Sequence, residues 1–197
     1  TLHQLQNLEK FSTKDISRAG LIKQQEGTRE SNFYDRFRGR IIFPLHDIHG
    51  NLIAFAGRVI NDSEPKYLNS PETPLYVKGK HLFGLNRAKE SIRKQNKALI
   101  VEGYFDQMRA HQNGIRNTVA TCGTALTQEQ ASLLKNHTKQ VTLIFDSDSA
   151  GYAATKSGFE ILLKQGLSVE VLSLPSGHDP DSFIRQFGPE KFVEELK

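Results

Sequence analysis

A single cysteine, Cys122, stands in this chain of 197 residues. It rules out an internal disulfide, and without a Cys pair the seven histidines have no partners for a structural zinc site. Cys122 itself reads as a small buried strand residue. No apolar run approaches the roughly 20 residues needed to span a bilayer, and the opening TLHQLQNLEK lacks the apolar core of a signal peptide. A cytoplasmic location is the default expectation. With 37% hydrophobic and 24% charged residues, the composition is that of an ordinary globular protein, with length for one sizeable core or two small ones. The chain opens at Thr1, without an initiator methionine, inside what reads as a polar helix. It is expected to be a fragment of something longer.

The net charge of +4 is unevenly spread. Residues 29–97 carry 13 basic against 7 acidic residues, whereas residues 98–197 carry 9 against 12. A basic half joined to an acidic half suits a polyanion held by one and metal chemistry performed by the other; scattered, solvated charge is the plainer explanation.

Residues 40–60, RIIFPLHDIHGNLIAFAGRVI, give two apolar-rich runs around Gly50-Asn51, a hairpin signal. His46 and His49 flank that turn and are ascribed to turn polarity, because no third ligand type is near. The following NDSEPKYLNSPETPLYVKGKHLFG reads as an extended loop with little regular structure. From residue 87 helices and strands alternate. ALIVEG, NTVATCG, QVTLIFD and LSVEVLSLP read as strands; RAKESIRKQ, DQMRAHQN (with Met108 inward) and AGYAATKSGFEILLKQG read as helices. Thr127 and Gln130 form a capping box for a further helix. This alternation implies right-handed crossovers and a parallel sheet covered on both faces, with ligands at its carboxyl edge.

Three strand ends carry six acids: Glu102 and Asp106 in VEGYFD, Asp146 and Asp148 in IFDSD, Asp179 and Asp181 in HDPDSF. Like charges about 5 Å apart repel by roughly 3 kcal/mol at an effective dielectric near 20. Protons, basic partners or hard cations must therefore lie between them, and magnesium with phosphate is the simplest resolution. Asp146 and Asp148, two apart, point the same way along an extended segment. Asp106 falls one helical turn after Glu102, with helix capping as its alternative role, and an N-cap is a serious rival for one of Asp179 and Asp181. DxD alone is shared by phosphatases, glycosyltransferases and nucleotidyl transferases.

Together these motifs resemble the Toprim module: a glutamate in VEGYFD, a DxD in FDSDSAG and an acidic pair in a later loop. YDRFRGRIIFP, GNLIAFAGRV, PKYLNSPET and KGKHLFGL resemble the basic subdomain that precedes Toprim in bacterial DnaG-type primases. The likeness runs from about Phe33 to Gly188. Two positions depart from the family pattern: Ala56 replaces a glycine usual before GR, and Ser147 stands in the middle of the DxD. Both are small, so neither disturbs the expected metal site.

The resemblance implies an α/β fold, a Toprim-type parallel sheet with helices on both faces, preceded by a basic mixed α+β subdomain. The expected division is 1–95 for that subdomain, 96–176 for Toprim, and 177–197 for the acidic loop and the start of a helical region. It implies a DNA-templated RNA polymerase that makes short primers by metal-dependent nucleotidyl transfer. Glu102, Asp106, Asp146 and Asp148 would be catalytic, and Glu102, Asp146, Asp148, Asp179 and Asp181 would hold Mg²⁺ or Mn²⁺. Arg36, Arg38, Arg40, Arg58, Lys66, Tyr67, Asn69, Lys78 and Lys80 would contact template or nucleotide. Single-stranded DNA and NTPs are the expected partners, with replicative helicase and single-strand-binding protein engaged through the full-length protein; the chain is expected to be monomeric, with no membrane contact. Family members add an upstream zinc-binding domain and a downstream helicase-interacting domain; this chain would be the isolated core, without zinc and weak alone. Other readings are a Toprim nuclease or topoisomerase, an aspartyl-phosphatase, for which Ser149 stands where Thr or Val is needed, and a non-catalytic DNA- or nucleotide-binding module.

Overall fold

The computed structural model describes residues 2–7, 11–25, 32–61, 63–123, 125–145 and 149–196. Contacts divide the chain into one unit of residues 1–46 and 51–77 and another of residues 47–50 and 78–197.

The first unit begins with helices α1 (Leu2–Asn7) and α2 (Thr13–Arg18). Ser12 caps α2 by accepting the Asp15 amide at 3.2 Å, and the Asp15 carboxylate accepts the Ser12 amide in return. Strands β1 (Ile22–Gln24) and β2 (Phe33–Asp35) pair antiparallel. The expected hairpin follows as β3 (Arg40–His46) and β4 (Leu52–Val59). Phe43 faces Ala56 and Leu45 faces Ala54, all four buried, so each large side chain lies opposite a small one on the inner face. The segment after β4 is more regular than its Pro, Asn and Ser content suggests. Tyr67–Asn69 forms β5, a third strand that pairs with the edge of β4 and places Tyr67 opposite Arg58. Three residues are too few for periodicity to reveal.

The second unit carries a short 3₁₀ turn (Lys78–Lys80), then α3 (Leu85–Gln95), β6 (Lys97–Val101), α4 (Tyr104–Gln112), β7 (Thr118–Ala120), α5 (Gln128–Lys135), β8 (Gln140–Ile144), α6 (Ser149–Lys164), β9 (Ser168–Val171), α7 (Pro180–Phe187) and α8 (Pro189–Glu195). Four strands make a parallel sheet in the order β7-β6-β8-β9, flanked by helices. Beyond their first residues β6 and β8 are buried throughout, as expected for central strands covered on both faces. The outer edge of β7 is closed by Phe83, which exchanges two backbone hydrogen bonds with Ala120.

Ile92, Ile100, Val119, Leu134, Leu143 and Leu162, from α3, β6, β7, α5, β8 and α6, are fully buried in one core. Helix α5 opens with the expected capping box, in which Thr127 and Gln130 each accept the other's amide. After α6 the chain turns at Gly166, whose φ of +78° favours glycine. Met108 is not inward: it is 43% exposed. Helix α4 instead buries Tyr104, Asp106, Gln107 and Ala110, and Gln107 donates to the Thr118 carbonyl at 3.2 Å. Satisfied polar side chains thus set the phase of α4, which an apolar pattern alone cannot show. Cys122 is buried, but it lies two residues beyond β7 with φ +55° rather than within a strand.

Candidate functional site

The strand order reverses between β6 and β8, since the chain steps outward to β7 after β6 and outward to β9 after β8. Such a switch point opens a crevice outside the carboxyl ends of the strands. Val101 and Ile144, the last residues of β6 and β8, are paired across it. Glu102 is therefore the first residue beyond one central strand, and buried Phe145 the first beyond the other. Asp146 and Asp148 lie outside the described residues.

Backbone bonds fix Glu102. Thr121 donates its amide to the Val101 carbonyl at 3.2 Å and Cys122 donates to the Glu102 carbonyl at 2.9 Å, so the pairing of β6 with β7 extends past both strands. Burial pushes the Cys122 thiol well above its ordinary pKa, with a hydrogen bond from Tyr104 only partly offsetting this, so the group is a neutral thiol. At Gly103 the chain turns into α4, and Asp106 reaches back to accept the Gly103 amide at 2.9 Å. A Cβ at residue 103 would stand 2.7 Å from that carboxylate oxygen, so a side chain there would make the Asp106 carboxylate shift.

Asp106, 6% exposed, uses its other oxygen to accept the Asp181 amide at 3.1 Å, joining α4 to the first turn of α7, against which it packs. Arg109, one turn further along α4, donates its Nε to Asp181 Oδ1 at 2.7 Å. Asp179 is the N-cap of α7: its Oδ1 accepts the Ser182 amide at 2.7 Å, and Ser182 Oγ accepts the Asp179 amide at 3.1 Å. The structure thus brings Asp106, Asp179 and Asp181 together around the α4–α7 contact, with Glu102 at the turn into α4. Among the described residues, no group of three or more His, Cys, Asp and Glu side chains is arranged to hold a metal ion. The acids at this edge offer only carboxylate oxygens, the donor chemistry of Mg²⁺ and Mn²⁺.

Of the basic residues, Arg36, Arg38, Arg40, Arg58 and Lys66 lie in the first unit with Tyr67 and Asn69, and Lys78 and Lys80 lie in the second. Arg36 donates Nε and Nη2 to the Asn69 carbonyl at 3.3 and 3.1 Å, tying the turn after β2 to β5. Burial lowers its pKa from the ordinary guanidinium value. Arg40 donates to the Gly57 carbonyl at 3.2 Å. Arg38 is exposed and lies 4.4 Å from the Tyr34 ring centroid, and Arg58 lies 5.6 Å from that of Tyr67. Lys66 is exposed beside this pair.

In the second unit the turn holding Lys78 and Lys80 is pinned at several points. Lys78 Nζ donates to the Gly123 carbonyl at 2.9 Å, Thr127 Oγ1 to that of Gly79 at 2.5 Å, and Gln130 Nε2 to that of His81 at 2.7 Å. The capping pair of α5 therefore also positions the basic turn. Sequence reasoning did not single out Arg109, Tyr34 or this second use of Thr127 and Gln130. The available signal for Arg109 was its spacing of three from Asp106, which puts both on one helix face.

Residues 1–89 match the family of the DNA primase catalytic core, N-terminal domain, and residues 99–184 match the Toprim-like family. The chain is 47% identical over 184 residues to a DNA primase of Clostridium acetobutylicum, covering 93% of this chain and 30% of that protein. A DNA primase domain from Pseudomonas aeruginosa superposes with a TM-score of 0.89 at 41% identity, covering 98% of this chain and 61% of that one. A DnaG primase catalytic domain solved bound to single-stranded DNA superposes with a TM-score of 0.87 at 36% identity, over 98% of this chain and 61% of that one. The chain thus spans about a third of the length of the full DNA primase it matches. With a basic antiparallel unit followed by a parallel sheet whose switch point has Glu102 at its edge, it belongs to the DnaG-type DNA primase family, as part of its catalytic core with the Toprim fold.

Proposed function

We propose that this chain is the polymerase core of a primase, building short RNA primers on single-stranded DNA by metal-dependent nucleotidyl transfer. The observation that carries the reading is the switch point between β6 and β8, with Glu102 at its edge and Val101 opposite Ile144. Adjacent parallel strands lie about 4.8 Å apart. Asp146 follows Phe145 directly in the sequence, which supports reading it together with Glu102.

Glu102, Asp146, Asp148 and Asp179 form the proposed core of a Mg²⁺ or Mn²⁺ site, with Asp181 beside it. When bound, the metal supplies charge neutralisation on the triphosphate and lowers the pKa of the primer hydroxyl. Asp106 acts in this reading as the clamp that holds the Glu102 turn and the α7 loop in one arrangement. Arg38, Arg58 and Lys66 would track template phosphates, with Tyr67 as a stacking surface, and Lys78 and Lys80 would meet nucleotide phosphates from their pinned turn. Arg36, Arg40 and Asn69 shape the strand that presents them.

We further propose residues 1–95, 96–176 and 177–197 as the basic subdomain, the Toprim domain and the acidic loop with its following helices. A cytoplasmic monomer that meets helicase and single-strand-binding protein through the rest of the full-length protein fits this role.

The test is incorporation of labelled ribonucleotides by the chain on a single-stranded template. Products that depend on Mg²⁺ or Mn²⁺ are expected. Template binding without metal-dependent incorporation would leave only a DNA-binding module, and release of nucleotides from the template would mark a nuclease.

A further inference from the structure

Arg109 lies on the same face of α4 as Asp106, and the two grip successive parts of one residue: Asp106 takes the Asp181 amide at 3.1 Å and Arg109 takes the Asp181 carboxylate at 2.7 Å. The ion pair is partly shielded, with side-chain exposures of 32% for Arg109 and 19% for Asp181. Its geometry is stronger than that of an exposed surface pair, because the backbone beneath the carboxylate is held as well. Asp181 follows the α7 cap by two residues, so the grip also sets where Asp179 stands.

We infer that Arg109 is a positioning residue that serves as the resident counter-cation of Asp181, competing with a divalent ion for that carboxylate and weakening cation binding at the acidic edge. The inference rests on the metal-dependent reading above. One fixed positive charge stands beside the Asp181 carboxylate, where a cation would otherwise compete for it, and it ties Asp181 toward α4. The site is then occupied by metal only when stronger ligands, in the proposal Glu102, Asp146, Asp148 and Asp179, supply most of the binding.

The test is equilibrium binding of Mn²⁺ alone to the chain, without template or nucleotide, followed by the paramagnetic signal of free Mn²⁺. R109M and R109Q are expected to bind Mn²⁺ about three-fold or more tightly than the unaltered chain, the size set by removing one unit charge from a partly solvated acidic site. R109K should restore the original affinity, and R109M/D181N should lose the gain. Amide exchange at Asp181 and Ser182 should quicken in R109M and return toward normal in R109K. Unchanged Mn²⁺ affinity in R109M and R109Q at native melting temperature would overturn the inference. So would a double variant as tight as R109M, or no saturable Mn²⁺ binding by the unaltered chain. Failure to incorporate ribonucleotides would sink the primer-synthesis reading while leaving the affinity comparison intact, so the two are separable.

Discussion

Val101 and Ile144 stand opposite each other at the ends of two neighbouring parallel strands, and the chain leaves both at the same edge of the sheet. One strand is followed by Glu102, whose carbonyl is held by the Cys122 amide, and then by a glycine that lets Asp106 fold back on the turn. Backbone pairing and helix capping thus fix the turn that carries Glu102 and Asp106.

Gly103→Ala should break the Asp106 cap, because the new methyl would stand 2.7 Å from the capping oxygen and the carboxylate must swing away. The cost expected for a lost cap is about 1–2 kcal/mol. Urea denaturation should show a lower midpoint with an unchanged slope, and primer synthesis should fall further than stability alone explains. A variant as stable and active as the unaltered chain would remove Asp106 from its clamping role.

Gln130→Leu keeps the apolar bulk of a fully buried side chain but removes the two hydrogen bonds that Gln130 makes, to the His81 carbonyl and from the Thr127 amide. The expected loss is about 1–3 kcal/mol. If the basic turn is positioned through Gln130, the apparent KM for NTPs should rise while template affinity stays near normal. Loss of template affinity alone would argue against that assignment.

Arg36 and Arg38 should separate in their salt dependence. Arg36 spends its guanidinium on the Asn69 carbonyl, whereas exposed Arg38 lies over Tyr34. Arg38→Ala should lower the slope of log K for single-stranded DNA against log salt by about 0.7, one phosphate contact. Arg36→Ala should instead lower the melting temperature, with little change in slope. The opposite pattern would exchange their roles.

Acid should destabilise the fold through histidine. His81, His111 and His137 all have pKa values lowered mainly by burial, reinforced by nearby arginines or lysines at His111 and His137 and partly offset by Asp47 at His81, so the unfolded chain binds protons that the folded chain resists. Their neutral forms are fully tolerated above the unfolded value near 6.5. Stability should therefore fall as pH drops below that value toward the lowered folded ones. His111 Nδ1 and His137 Nδ1 are buried without a hydrogen-bond partner among the described residues, so protonation there gains no acceptor. Melting scans between pH 7.5 and 5.5 should show the decline, and His111→Gln or His137→Gln should flatten it. An unchanged profile in both variants would place the acid sensitivity elsewhere.

The parallel sheet was legible because ALIV and VTLIF are short runs of apolar and β-branched residues, each ended by an acidic segment, and the capping box of α5 was legible because Thr127 and Gln130 sit three apart. Both signals are local. Met108 was misjudged because α4 turns buried Asp106 and Gln107 inward, and their hydrogen bonds, absent from any hydrophobic count, choose the phase. The third strand of the basic unit was missed because only Tyr67–Asn69 pair. Arg109 and Asp181 are 72 residues apart, so their ion pair depends on how α7 returns to α4, which no spacing rule records.

The most direct measurement pairs two readouts on Asp146→Ala: ribonucleotide incorporation with Mg²⁺ and equilibrium binding of single-stranded DNA. If the switch-point acids perform the chemistry while the basic unit holds the template, incorporation should disappear and DNA affinity should stay within about two-fold. Retained incorporation in this variant, with DNA binding intact, would contradict the placement of the active site at the edge of β6 and β8.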